Sequence, residues 1–196
     1  MRTHPACRYR GRVATDHPHQ DAAPPAIEPD AKDWTWVLDA RCPECGFAAS
    51  DVDPSGIGGT VRDLVPRWVA ALHRDDVRAR PAPQVWSTLE YGAHVRDVMR
   101  LFDERVRLML DEDDPSFADW DQDATAVAAR YDLQDPATVA DELTRSAEAT
   151  ADRFDAVTGD QWQRPGRRSN GSVFTVRTLG QYFLHDVVHH LHDVRA

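Results

Sequence analysis

The chain has 196 residues and a formal net charge of −10, with 41% hydrophobic and 29% charged residues. This length predicts one soluble globular domain with a real core, and the acidic balance disfavours binding to nucleic acids and anionic membranes. The odd number of cysteines, three, argues against a secreted disulfide scaffold, and no apolar run reaches the length of a membrane helix, about 18–20 residues. The basic start, Met1 to Gly11, is not followed by the apolar segment of a secretory signal. We therefore expect a cytoplasmic protein.

The composition divides the chain into three parts. Residues 1–32 are rich in proline and poor in large apolar residues, which predicts a disordered N-terminal arm. Four potential metal ligands in this arm have no regular spacing: His4, Cys7, His17 and His19. Residues 33–53 form a lead-in segment that contains a C-x-x-C motif, and residues 54–196 carry the helical patterns.

Four segments have apolar residues at the i, i+3, i+4 spacing of amphipathic helices. They are residues 54–73, 87–110, 136–154 and 176–194. Pro66 predicts a kink or a late start in the first helix. Ser87 and Glu90 form a capping box at the start of the second helix, and Pro136 suits the first position of the third.

The connections between these helices differ in length. An acidic stretch, residues 111–135, separates the second and third helices and has room for a short helix near Ala124–Tyr131. Residues 164–171 predict a turn or a short hairpin before the fourth helix. We therefore predict an all-α fold, a four-helix bundle with one long crossover between helices 2 and 3. A mild apolar stripe on the third helix would suit either the core or a homodimer face.

Four of the nine histidines lie in one eight-residue stretch of the last predicted helix, residues 185–192. His185 and His189 are four residues apart, so they project about 40° apart on one helix face, as two ligands of one metal require. Their apolar neighbours indicate partial burial, where a metal would satisfy both imidazoles. A solvated histidine face is the alternative. The pair Asp186 and His190 is turned about 100° away, and we expect it to point elsewhere, towards solvent or a neighbouring helix.

The second helix adds a motif to this pattern. Trp86-Ser87-x-x-Glu90-x-x-x-His94, followed about 90 residues later by His185-x-x-x-His189, resembles the DinB-like superfamily, which contains bacillithiol and mycothiol S-transferases and mycothiol-dependent maleylpyruvate isomerases. The resemblance covers roughly residues 54–194. It implies a four-helix bundle that binds a divalent metal, zinc or nickel, through one ligand on helix two and two on helix four. The implied ligands are His94, His185 and His189.

The motif Cys42-Pro43-Glu44-Cys45-Gly46 lies before the part of the chain that carries the resemblance. It fits a tight turn on which the preceding tryptophans pack, half of a zinc site, or a redox dithiol. A structural zinc site needs four ligands, and no second cysteine or histidine pair follows at zinc-ribbon spacing. The sequence leaves these three interpretations open.

The resemblance implies a function for the three-histidine site. An open metal position can bind a low-molecular-weight thiol such as mycothiol and present it as a thiolate to an electrophile. The chain would then be a thiol S-transferase in detoxification or stress response, with the small thiol and the electrophile as its partners. Arg96, near His94 on the helix, is a possible substrate contact. The alternatives are a metal-dependent hydrolase and a non-catalytic metal-binding stress or interaction protein.

Overall fold

The structure is a computed structural model that describes Ile27 and residues 32–196. The predicted disordered arm therefore lies outside the described residues, apart from Ile27 and Lys32, and so do its four potential ligands. Ile27 is half-buried and packs against the core.

Residues 32–196 form five α-helices, and four of them build the bundle. They are α1 (Ile57–Leu72), α2 (Thr88–Asp111), α3 (Gln122–Ala128), α4 (Pro136–Asp155) and α5 (Val176–Asp193). A 3-10 turn at Pro54–Gly56 leads into α1, which continues through Pro66. The prediction of four long helices is confirmed, because each segment combines an apolar stripe with a capping residue or proline at its start.

The bundle is closed by α5. Helix α4 packs against α1 and α2, and α5 lies against both α2 and α1. The core contains large buried side chains from all four helices, including Trp68, Met99, Phe154 and Phe183. A Cβ atom at Gly180 would lie 2.6 Å from Ile57 Cδ1 and 2.8 Å from Phe154 Cε1, so a larger residue would displace these core side chains where α5 approaches α1. The predicted four-helix bundle with a long crossover is thus confirmed.

A small sheet joins the crossover to the start of α5. Strand β1 (Ser116–Phe117) pairs in parallel with β2 (Pro165–Arg168), which forms an antiparallel hairpin with β3 (Val173–Thr175). The hairpin confirms the turn predicted there, and Gly171 turns the chain with a φ of 100°. The parallel pairing could not be anticipated, because β1 has only two residues. Among the described helices, none is long and apolar enough to cross a membrane.

The start of α2 gives a first testable prediction. The Ser87 hydroxyl accepts from the backbone N–H of Glu90, and the Glu90 carboxylate accepts from the backbone N–H of Ser87. We expect Ser87→Ala to lower the free energy of unfolding by about 1 kcal/mol, within a range of about 0.5–2 kcal/mol, because it leaves a helix donor unsatisfied. Urea denaturation would measure this loss, and Ser50→Ala, at an exposed position, should change the free energy little. If the free energy of unfolding of Ser87→Ala were unchanged, the stabilising role of the capping box would be contradicted.

Candidate metal sites

Helix α5 presents potential metal ligands on two adjacent faces. One face carries Asp186 and His190, whose donor atoms lie within 4.8 Å of each other and of His94 on α2. We call these three residues the His94 group. The other face carries His185 and His189, which lie equally close to Cys42 and Cys45 of the lead-in segment. We call these four residues the cysteine group.

The three ligands implied by the resemblance are therefore divided between two groups. His94 is brought together with Asp186 and His190, while His185 and His189 face the C-x-x-C motif. Asp186 and His190 do face a neighbouring helix, α2, but they meet His94 there, whereas the resemblance implied that His185 and His189 would join His94. The physical reason is the rotation of α5: a turn of about 100° per residue decides which i, i+4 pair meets α2, and the sequence does not specify that rotation.

The His94 group has the geometry of a metal site with three protein ligands. His94 Nε2 lies 3.4 Å and His190 Nε2 lies 3.7 Å from Asp186 Oδ1. The opposite nitrogen of His190, Nδ1, donates to Asp193 Oδ2 at 2.8 Å, which directs the Nε2 lone pair toward the group. Both ring nitrogens of His94 and Oδ1 of Asp186 are buried without a hydrogen-bond partner among the described residues. Such atoms are costly unless something binds them.

Electrostatics favour the ligand forms of these side chains. Burial lowers the pKa of His94, against the opposing influence of Asp186, so its imidazole is neutral near pH 7. Burial alone would raise the pKa of Asp186, but His190 and His94 together bring it down to about 2. A neutral imidazole beside an ionised carboxylate is the state in which both can bind a metal.

Aromatic rings and small cavities surround the His94 group. The ring of Trp120 stacks on His94 at a centroid distance of 5.4 Å, and Trp86 lies 5.2 Å from it on another side. A cavity of about 70 Å³ reaches His190 and Asp186 and is lined in part by Gln122. Gln122 also lines an adjoining cleft of about 630 Å³. The group is thus shielded but reachable from a cleft large enough for a small-molecule ligand.

Two arginines of α2 have different surroundings. Arg96 donates to Gln134 and Glu142, at 2.8 and 2.9 Å, which gives it a structural role between α2, the crossover and α4. Arg105 lines a cavity beside Asp186, together with Arg168 of β2. Burial lowers the pKa of Arg105 to about 10, with Arg168 adding to the effect, so it remains charged at neutral pH. Periodicity gave no reason to single out Arg105 among the charged residues of this helix.

The cysteine group lies under the lead-in segment. Cys42 Sγ is 3.7 Å from His189 Nδ1, and Nε2 of His185 is buried without a hydrogen-bond partner among the described residues. The indole of Trp34 covers both imidazoles, at centroid distances of 5.5 Å from His185 and 5.0 Å from His189. The two cysteines do not form a disulfide bond.

Burial also governs the protonation of this group. It lowers the pKa of His185 to about 4, with His189 adding to the effect. It raises the pKa of the Cys45 thiol to about 11. Such a thiol is protonated at neutral pH and would release its proton on binding a metal.

Comparisons with known proteins agree with this architecture. YfiT from Bacillus subtilis, described as "a probable metal-dependent hydrolase with an unusual four-helix bundle topology", matches with a TM-score of 0.64 and 17% identity. The match covers 71% of this chain and 82% of YfiT, and at this identity it shows a shared fold. No curated protein matches the sequence significantly. The family model of the DinB superfamily matches residues 59–194, which include His94 and all of α5. The chain therefore belongs to the DinB superfamily.

Proposed function

We propose that the His94 group holds a divalent metal, zinc or nickel, and that the protein is a metal-dependent transferase that joins a low-molecular-weight thiol to an electrophile. The observation that carries the proposal is the convergence of His94, Asp186 and His190 beside a small cavity, which shares lining residues with the larger cleft. Two imidazoles and one carboxylate are a donor set that zinc enzymes use, and three protein ligands leave a position open for a reactant. The unpartnered buried atoms of His94 and Asp186 fit a metal as their missing partner.

A metal in this site would act as a Lewis acid that lowers the pKa of a thiol or of water at its open position. The chain's own residues prepare the site for this role. Asp193 accepts the Nδ1 proton of His190 and so fixes its ring, and Trp86 and Trp120 keep water from His94. Burial raises the pKa of Tyr182, so its hydroxyl stays protonated, and the residue lines the small cavity together with Asp186.

The size and lining of the cleft suit a polar organic reactant. Its volume of about 630 Å³ lies within the usual range for small-molecule sites. Polar side chains that include Asp119, Arg168, Asn170 and Ser172 line it, and they suit a hydroxyl-rich molecule such as mycothiol. Tyr182 lines both this cleft and the small cavity at Asp186 and His190, which connects the thiol site to the metal ligands.

A metal-dependent hydrolase is the second candidate. It is favoured by the fold shared with YfiT, which is described as a probable enzyme of that class. The same three ligands could serve it, because activation of water needs the same open position. The two candidates differ in the reactant that takes this position, and a substrate panel separates them.

The test uses the full chain loaded with zinc or nickel, a panel of thiols that includes mycothiol, and the electrophile 1-chloro-2,4-dinitrobenzene. In conjugation, the sulfur forms a bond to the ring carbon, chloride leaves and the thiol proton passes to solvent. We expect mass spectrometry to find a conjugate whose rate of formation falls to background after chelation and returns with metal. A panel of esters and amides is run in parallel. Hydrolysis without conjugation would establish the second candidate, and inactivity on both panels would overturn both.

A further inference from the structure

We infer that the chain contains a second metal site, a structural zinc centre formed by Cys42, Cys45, His185 and His189. This site fastens the lead-in segment to α5. It is distinct from the His94 group, since the two groups share no residue, and it stands whether or not the proposed transferase activity is correct. The two cysteines precede residue 59, where the match to the family model begins, so the site joins a segment outside this match to the bundle.

The donor set and its spacing are those of a tetrahedral zinc site. With Zn–S bonds of about 2.3 Å and Zn–N bonds of about 2.0–2.1 Å, neighbouring donors in a tetrahedron are about 3.3–3.8 Å apart. Cys42 Sγ and His189 Nδ1 are already 3.7 Å apart. All four donor atoms lie within 4.8 Å of one another, so the longest of these distances must shorten by about 1 Å to reach the tetrahedral values.

The C-x-x-C turn is shaped to present both sulfurs to one point. The backbone N–H of Gly46 donates to the Cys42 carbonyl at 2.9 Å, and the N–H of Cys42 donates to the Phe47 carbonyl at 2.8 Å. Gly46 adopts a φ of 76°, a conformation that favours glycine and reverses the chain directly after Cys45. The turn therefore holds its shape through the backbone, independently of the sulfurs.

The two imidazoles are oriented toward the same point. His189 turns Nδ1 to Cys42, while its Nε2 lies 3.7 Å from Glu44 Oε2 and 3.9 Å from Asp193 Oδ1. A carboxylate on the far nitrogen of a histidine is the usual support for a metal-bound imidazole. His185 supplies the unpartnered buried Nε2.

The surroundings identify the site as structural rather than catalytic. Four protein ligands fill a tetrahedral zinc, whereas catalytic sites keep a position open. Cys42 is fully buried, and the rings of Trp34 and Phe47 close over the histidines. A redox dithiol needs an accessible sulfur and has no use for two converging imidazoles. The arrangement therefore favours zinc over a disulfide switch.

Cobalt substitution in the intact full chain tests the site without any mutation. Under reducing conditions, we expect Co²⁺ to produce the sulfur-to-cobalt charge-transfer band and the strong visible bands of a tetrahedral thiolate site, and Zn²⁺ to abolish them by displacement. In zinc-loaded protein, two of the three thiols should resist a thiol reagent until a chelator is added. Absence of the charge-transfer band, or equal reactivity of all thiols with and without zinc, would overturn the inference.

Variants locate the site. Cys42→Ser should lose one equivalent of zinc, lose the charge-transfer band and melt roughly 5–15 °C lower, because bound zinc contributes to folding. Cys7→Ser is the matched control and should retain the metal, the band and the melting temperature. If Cys42→Ser does not fold, the cobalt spectrum of the intact chain still decides. Retention of zinc and band by Cys42→Ser would overturn the inference.

Discussion

Replacing His190 with alanine is expected to lower thiol conjugation by more than about 100-fold and to remove one metal equivalent. The variant leaves only His94 and Asp186 in the His94 group, and loss of a supporting partner of a metal ligand alone typically costs about 10–100-fold. Alanine is a strong helix former, so α5 should remain intact. Metal analysis by mass spectrometry and the conjugation rate give the two readouts, and the cobalt–thiolate spectrum of the cysteine group should persist.

Variants of two other histidines of α5 distinguish the His94 group from the ligand set that the resemblance implies. His192 is exposed on the same helix, and His192→Ala should keep both the metal and the activity. The ligand set implied by the resemblance predicts that His189→Ala abolishes activity and that His190→Ala has no effect. The structure instead predicts that His190→Ala loses the activity, whereas His189→Ala removes a ligand of the cysteine group. Full activity of metal-loaded His190→Ala would reject the His94 group as the active site.

Phe183→Ala should lower the free energy of unfolding by about 3–5 kcal/mol, as large-to-small changes of buried aromatic residues do. Phe183 is fully buried, and its ring lies 5.2 Å from Phe102 and 5.7 Å from Phe154, so its removal leaves a cavity between α2, α4 and α5. Urea denaturation of metal-saturated protein measures the loss. Val127→Ala, at a position 74% exposed, is the control and should stay within about 0.5 kcal/mol. A loss below about 1 kcal/mol for Phe183→Ala would mean that the core does not depend on this contact.

The helices could be predicted because their signals are local. The capping box of Ser87 and Glu90 and the proline at position 136 mark where α2 and α4 begin, and the structure starts both helices there. The pairing of β1 with β2 could not be predicted, since it joins two residues of the crossover to a hairpin about fifty positions later. The burial of Arg105 could not be predicted for a related reason. It depends on the loop that covers this side chain, in which the Ala118 carbonyl accepts a hydrogen bond from the Arg105 guanidinium.

The bundle, the family and the potential metal ligands of α5, two pairs each spaced by four residues, follow from local sequence patterns. Which pair meets which partner depends on how the elements pack. The rotation of α5 against α2 brings Asp186 and His190 to His94, and the docking of the lead-in segment brings Cys42 and Cys45 to His185 and His189. These contacts join residues about 90 and 140 positions apart. Spacing along the chain fixes the relative positions of side chains within one turn of a helix, whereas packing alone fixes the positions of side chains on different elements.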